Sequence, residues 1–294
     1  MVRHPPIMTS GLSKWVHHDT LVVMTGASDL RTFPSADGDL AYRDTGSGDL
    51  VVLLHSGFVD HRMWDDHVRV LAERYRVIAP DTRGHGFSAN ATAPFRWADD
   101  LAALLSHLDA GPAVLVGLSM GGVIATDTVL EHPDLVRAVV TAGAATGDFR
   151  YTDPWHQELQ QTIARALAAG DVTTWLDAFL RLVPGPGRPA EDVDPEIPRR
   201  LREMALHTLS KHSAGEKDWL VHLTGSFDRL GGVRVPLLAV NGSLEPADLH
   251  AAAERLAGAV PEGRTATIDG TGHYSALERP EEFRRVLLGF LKTL

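Results

Sequence analysis

The stretch Val114-Leu-Val-Gly-Leu-Ser-Met-Gly-Gly-Val-Ile-Ala-Thr126 decides the fold. Its centre, Gly117-Leu118-Ser119-Met120-Gly121, fits the pattern G-x-S-x-G. The apolar run 113–116 before it reads as a strand, and residues 121–131 after it read as a helix. A strand–turn–helix is the context this motif needs before it carries chemistry. Glycine tolerates the close approach of strand and helix on either side of such a turn. The turn lifts the Ser119 hydroxyl above the sheet. It also puts the Met120 N–H at a helix N-terminus, where it can donate to a developing oxyanion. A Gly/Ser loop between unrelated elements is the plainer reading of five letters, and the flanks argue against it.

Working outward, strands and helices alternate. Asp37-Gly38 is a turn signal between runs at 30–33 and 40–43, which reads as a hairpin. Leu50-Val-Val-Leu-Leu54 is apolar throughout, as in a strand buried on both faces. A helix at 64–75 carries Val68, Leu71 and Ala72 on its apolar side. A strand at 76–80, a helix at 96–108 and, beyond the central stretch, a strand at 136–141 continue the pattern. Such alternation implies a parallel sheet with helices on both faces.

The alternation stops after Gly143. From about 148 to 230 the chain reads as helices broken by Pro and Gly, at 155–169, 172–182, 197–209 and 214–227. The loop Val183-Pro-Gly-Pro-Gly-Arg-Pro189 lies in their midst. Strands return at 235–240 and 265–268, and a helix at 280–294 closes the chain. The expected fold class is therefore α/β. Residues 29–147 and 231–294 would form the core, with an all-helical cap, or lid, inserted at 148–230. Residues 1–28 show no sustained period and are expected to be a loosely ordered extension, with Met24 a candidate natural start.

The 294 residues are 44% hydrophobic and 22% charged, an ordinary globular balance. A net charge of −10 with the two signs mixed along the chain argues against nucleic acid or an anionic membrane as partner. No apolar run approaches the ~18 residues of a membrane span. Leu21-Val-Val-Met24 is too short for a secretory signal, and His17-His18-Asp19 rather than a basic cluster precedes it. A cytoplasmic location is the default expectation. Without cysteine there is no disulfide framework, thiolate metal site or cysteine nucleophile. His17-His18 lacks supporting ligands and reads as surface, so neither metal nor cofactor is expected.

A serine hydroxyl is a poor nucleophile until a base takes its proton. His273, in Asp269-Gly-Thr-Gly-His-Tyr274, follows the last strand on a glycine-rich loop and is the candidate base. A carboxylate must orient it. The loop after the strand 236–240 reads Asn241-Gly-Ser-Leu-Glu-Pro-Ala-Asp248, and Glu245 at its turn is the first candidate. Asp248, in a first helical turn, and Asp148, after the preceding strand, are the alternatives. The second oxyanion donor is expected in His55-Ser56-Gly57-Phe58, from the backbone N–H of Gly57 or else Phe58, with His55 buttressing the loop. The inserted helices carry Trp155, Trp175, Phe179, Met204, Trp219 and Phe227. Some of these must form the cap's own core. Trp155, Trp175, Phe179 and Trp219, with Ser56 and Phe58, are the candidates for lining a substrate pocket.

Together these residues resemble the α/β-hydrolase superfamily. Asp81-Thr-Arg-Gly-His-Gly-Phe-Ser88 looks like its D-x-R-G-H-G-x-S loop. His55-Ser-Gly-Phe followed by Met63-Trp64 looks like its oxyanion loop, and Asn241-Gly-Ser-Leu-Glu245 like its acid loop. Gly272-His273 followed by Glu278-Arg-Pro280 matches its terminal histidine segment. The resemblance covers about residues 30–294. It suggests the small, lidded branch of enol-lactone hydrolases, carboxylesterases, C–C bond hydrolases and cofactor-free haloperoxidases. Two departures stand out: Glu245 where aspartate is commoner, and Ser56 where glycine is usual. Asp81 and Arg83 are expected to brace their loop. The resemblance implies cleavage of a small carboxylic ester or lactone through Ser119, His273 and Glu245, by way of an acyl-enzyme and without a cofactor. The same triad serves acyltransferases, perhydrolases and C–C bond hydrolases, and some members are small-molecule receptors. Serine at the elbow argues against haloalkane dehalogenase and epoxide hydrolase chemistry, which use aspartate there.

Overall fold

The computed structural model describes residues 30–213 and 216–294. The expectations for residues 1–28, including Met24 and His17-His18, lie outside the described residues. The strands in chain order are β1 (Leu30–Ser35), β2 (Gly38–Thr45), β3 (Leu50–Leu54), β4 (Arg76–Pro80), β5 (Ala113–Leu118), β6 (Val136–Ala142), β7 (Leu237–Gly242) and β8 (Gly263–Ile268). They form one sheet in the order β1-β2-β4-β3-β5-β6-β7-β8. The hairpin β1–β2 is antiparallel and β2 pairs antiparallel with β4, whereas every pairing from β4 to β8 is parallel.

Strand alternation sorts the side chains onto two faces. In β3 all five residues are buried. Val51 and Leu53 face a layer that includes Trp64, Val68, Phe283 and Leu287. Leu50, Val52 and Leu54 face the opposite layer, with Leu101, Leu105, Ile124 and Val129. The helices supplying those layers include α1 (Asp65–Leu71), α2 (Trp97–Leu108), α3 (Met120–Glu131) and the C-terminal helix that carries Phe283 and Leu287. Each fully buried aliphatic side chain contributes about 1.5–3 kcal/mol, so the sheet is the stable platform of the molecule.

Between β6 and β7 run α4 (Pro154–Ala169), α5 (Val172–Leu180), α6 (Glu196–Ser210) and the short α7 (Ser226–Arg229). Asp153 caps α4 by accepting from the Trp155 and His156 amides at 2.9 and 3.2 Å. Gly170, at φ +67°, ends α4, and Asp171 caps α5 through the Thr174 amide. Trp175, Leu176, Phe179, Leu201 and Met204 from these helices join the same apolar layer as Trp64. The helix expected at 214–227 does not form over residues 216–225; only its last two residues are helical, in α7. Phe95 instead pairs with this segment, donating to the Trp219 carbonyl and accepting from the Val221 amide at 3.1 and 2.9 Å. Gly225, at φ +69°, then starts α7, and Phe227 packs against the layer of β7 rather than the inserted helices. After β7 come α8 (Ala247–Ala259) and, beyond β8, α9 (Ser275–Glu278) and α10 (Pro280–Leu291).

The parallel register aligns the strand ends. Leu54 pairs with Gly117, Leu118 with Ala142, Ala142 with Val240, and Gly242 with Ile268. The residues that follow β3, β5, β6, β7 and β8 therefore emerge along one carboxyl edge, where open α/β sheets bind ligands.

Candidate active site

Ser119 stands between β5 and α3 with φ +53° and ψ −115°, a conformation costly for any residue with a Cβ. Its amide donates to the Ala142 carbonyl at 2.8 Å, which pins the turn to the end of β6. A side chain on Gly117 would run into the Gly121 backbone, and one on Gly121 into the Leu54 carbonyl. The two glycines of the motif are required by close approach. Ser119 itself is half-buried.

The loop His55–Phe58 lies against Met120. The Cβ position of Gly57 is 3.9 Å from both the Cβ and the Sδ of Met120. Met120 is the first residue of α3, so its N–H has no intrahelical acceptor. Among the described residues, neither the Gly57 nor the Met120 amide has a hydrogen-bond acceptor. Phe58 takes φ +63°, which turns the loop and sends its ring into the inserted helices. There it meets Trp175 edge-on at 4.7 Å between centroids and Phe179 at 6.2 Å. His55 supports the loop from below. Its Nε2 accepts from the Thr82 amide at 3.0 Å, so Nδ1 carries the proton and donates to the Ser56 carbonyl at 2.8 Å. Burial pushes the His55 pKa down, which keeps the ring neutral in that role. The Ser56 hydroxyl is buried and lies 3.4 Å from the Tyr274 hydroxyl.

His273 and Glu245 meet behind the strand ends. The Glu245 carboxylate accepts from His273 Nδ1, with its two oxygens at 3.1 and 3.3 Å. The side chains are 7% and 1% exposed, so water competes little for this contact. Glu245 is held at the N-terminal end of α8 by its own amide, which donates to the Gly242 carbonyl. Asp248, one turn later, is engaged elsewhere. It accepts from the Thr152 and Asp153 amides at 2.9 and 3.0 Å and from His156 Nδ1 at 3.2 Å. Asp148 bonds the Thr146 hydroxyl.

One residue that carries no motif signal sits inside this arrangement. Gly143 follows β6 at φ +54°. A Cβ there would lie 2.5 Å from Glu245 Oε1 and 2.9 Å from His273 Nδ1. A glycine just beyond a strand end, level with the serine, was the only available hint.

With this geometry in view, residues 49–280 match the family of the alpha/beta hydrolase fold. The chain belongs to that family. It is 26% identical over 271 residues to 3-oxoadipate enol-lactonase 2 of Acinetobacter baylyi, covering 89% of this chain and 96% of that protein. It is 27% identical over 252 residues to the pimeloyl-[acyl-carrier protein] methyl ester esterase of Aeromonas hydrophila, covering 84% and 96%. The crystal structure of the enol-lactonase from Burkholderia xenovorans superimposes with a TM-score of 0.76 at 25% identity, covering 89% of this chain and all of that one. The protein is thus a hydrolase of the small enol-lactonase and esterase branch. No helix among the described residues is long and apolar enough to cross a membrane.

The remaining polar clusters of this hydrolase brace its loops. Asp81 accepts from the His61 amide, His61 Nδ1 and the Phe87 amide, each at 2.8 Å. Burial alone would raise the Asp81 pKa, but the His61 bond and charge outweigh it and hold it low. Arg83 forks onto Asp100 with two bonds of 2.8 Å and reaches Ser35. Asp60, His61 and Asp81 lie close enough together to suggest a cation site, but Arg62 already bonds both Asp60 oxygens. Of the other aromatic candidates, Trp155 is half-buried beneath the Arg181 guanidinium. Trp219 is held by Phe95 and covered by the Lys217 ammonium, apart from the Phe58–Trp175–Phe179 group.

Proposed function

We propose that this chain is a serine hydrolase that cleaves a small carboxylic ester or lactone through Ser119, His273 and Glu245. The observation that carries the reading is the buried His273–Glu245 pair, at 3.1 and 3.3 Å, on the sheet edge that also bears the strained Ser119 turn. The named relatives support the bond type: one takes its name from an enol-lactone and the other from a methyl ester. Ser119 Oγ attacks the acyl carbon while His273 Nε2 takes its proton. Glu245 keeps the other ring proton on Nδ1 and stabilises the imidazolium that forms. The free amides of Gly57 and Met120 receive the oxyanion, each worth about 10²–10³ in turnover. His273 returns the proton to the leaving alkoxide, and water then cleaves the acyl-enzyme by the same route. Glutamate is one methylene longer than aspartate, and the open Gly143 position is what leaves room for it.

In this reading residues 29–147 and 231–294 are the catalytic core and 148–230 the cap. The Phe58–Trp175–Phe179 cluster, with Ser56, forms the apolar acyl side of the pocket, and the substrate is a small molecule. The test is a fluorophosphonate probe with the adduct mapped by peptide mass. The expected result is one adduct on Ser119, lost in His273→Ala, together with turnover on an ester and lactone panel. A folded protein that neither labels at Ser119 nor cleaves any of the panel would overturn the reading.

A further inference from the structure

The loop at 182–188 reads as a Pro/Gly linker, yet it is wedged between the two loops that carry His273 and Glu245. The Leu182 carbonyl accepts from the His273 amide at 3.2 Å. A side chain on Gly185 would lie 2.5 Å from the Leu244 carbonyl, and one on Gly272 would strike the Val183 carbonyl. Arg188 closes this contact. Its Nε donates to the Pro184 carbonyl at 3.2 Å and its Nη2 to the Val183 carbonyl at 2.9 Å. Its Nη1 reaches across to the Gly270 carbonyl at 2.7 Å, and Nη2 also bonds Glu278 Oε2. The other Glu278 oxygen accepts from the Gly272 amide at 2.8 Å. The guanidinium thus grips the turn Gly270–His273 from both sides, directly at Gly270 and through Glu278 at Gly272.

We propose that Arg188 is a positioning residue for His273, so that the base is held in register with Ser119 only while the 182–188 loop is seated; this rests on the proposed role of His273. The chemistry favours the assignment. Four acceptors lie around one planar cation, an arrangement that the five fixed donors of arginine satisfy and a lysine ammonium does not. The pair with Glu278 is largely withdrawn from water, at 14% and 6% side-chain exposure, so the bonds are charge-assisted and little screened. A bulky cap residue reaching the loop of the base makes cap seating and base geometry one event.

The test compares Arg188→Met, Arg188→Lys and Glu278→Gln with Arg200→Met. Arg200 ties α6 to the other side of the core, at Asp66 and the Arg62 carbonyl, both at 3.1 Å. Each variant is read for thermal midpoint, kcat and KM on a chromogenic ester, and rate of fluorophosphonate labelling. Arg188→Met is expected to lower kcat and the labelling rate by about 10²-fold with KM within about threefold, as for a misplacement near 1 Å. Glu278→Gln should show the same split more weakly, and Arg188→Lys should recover part of the loss. Arg200→Met should lower the midpoint comparably while leaving kcat within about twofold. The His273 Nδ1 proton, read by NMR, should broaden or shift in Arg188→Met and stay put in Arg200→Met. Wild-type kcat in folded Arg188→Met, or an equal kcat loss in Arg200→Met, would overturn the proposal. A wild type that neither labels at Ser119 nor turns over any ester or lactone would overturn the proposed function instead, and the Nδ1 proton would still decide this one.

Discussion

The most demanding consequence of the site concerns Gly143→Ala. The added methyl carbon would start 2.5 Å from Glu245 Oε1 and 2.9 Å from His273 Nδ1, where ordinary contact begins near 3.4 Å. Glu245 must therefore retreat by about 1 Å, which breaks a hydrogen bond that stands at 3.1 Å. The backbone adds its own penalty, because alanine at φ +54° costs about 1–2 kcal/mol. The expected stability loss is about 2–3 kcal/mol, small enough to leave a folded protein. Catalysis should suffer far more. Removing the orienting carboxylate of a serine–histidine pair costs about 10⁴ in kcat, and a displaced carboxylate should cost about 10²–10⁴. The assay is kcat and KM on an activated ester beside circular dichroism and thermal melting. Turnover within about threefold of wild type in a folded Gly143→Ala protein would refute the reasoning, because the Glu245–His273 contact would then be dispensable.

Three further outcomes follow from named contacts. Ser119→Gly should abolish fluorophosphonate labelling while raising stability by about 1 kcal/mol, because relief of strain at φ +53° exceeds the entropic cost of glycine; an unchanged or lower thermal midpoint would contradict this. Asp248→Asn should lose about 1–2 kcal/mol by weakening its bonds to Thr152, Asp153 and His156 but keep labelling within about threefold, whereas Glu245→Gln should lose about 10³-fold or more; the reverse ranking would make Asp248 the acid. Burial, with Asp148 and Glu131 nearby, pushes the Asp127 pKa up to about 7 against the weaker opposing bond from Ser226. The unfolded chain ionises Asp127 near pH 4 and the folded one only near 7, so stability falls as pH rises between those values. Asp127→Asn should therefore raise the melting midpoint relative to wild type at pH 8 and bring no such gain at pH 4, and a constant difference across both would count against the burial argument.

The parts of this molecule that were legible in the sequence are those written in local patterns. Leu50–Leu54 is apolar at every position because β3 is covered on both faces, and its register delivers His55 to Phe58 onto the same edge as Ser119. The elbow glycines are readable because the clashes they avoid involve neighbours close in sequence or at the end of an adjacent strand. Glu245 and His273 are readable by their place after strands. The expected helix at 214–227 went astray for the opposite reason. Its apolar residues fit a helical period, but the Trp219 and Val221 backbone groups are taken by Phe95, more than a hundred residues earlier.

What stayed hidden is the polar matter between loops. Asp248 looks like an ordinary acidic residue in a first helical turn, and that position does complement a helix dipole. Its partners at Thr152 and Asp153 lie 96 and 95 residues away, so no window of sequence contains both ends of the contact. Arg188 likewise reaches Gly270 and Glu278 across 82 and 90 residues from what reads as a linker. Gly143 is hidden in another way, because its requirement is an empty volume shared by two side chains from two other strand ends. A reacting group needs a particular residue type at a particular turn, and that leaves a motif. A group that holds a reacting one in place needs only reach and charge, which many positions could supply, so its identity is fixed by the path of the loops. For this chain Arg188 and Gly143, which act around the His273–Glu245 pair, are therefore found in the structure, while Ser119, His273 and Glu245, proposed to do the chemistry, were already marked in the sequence.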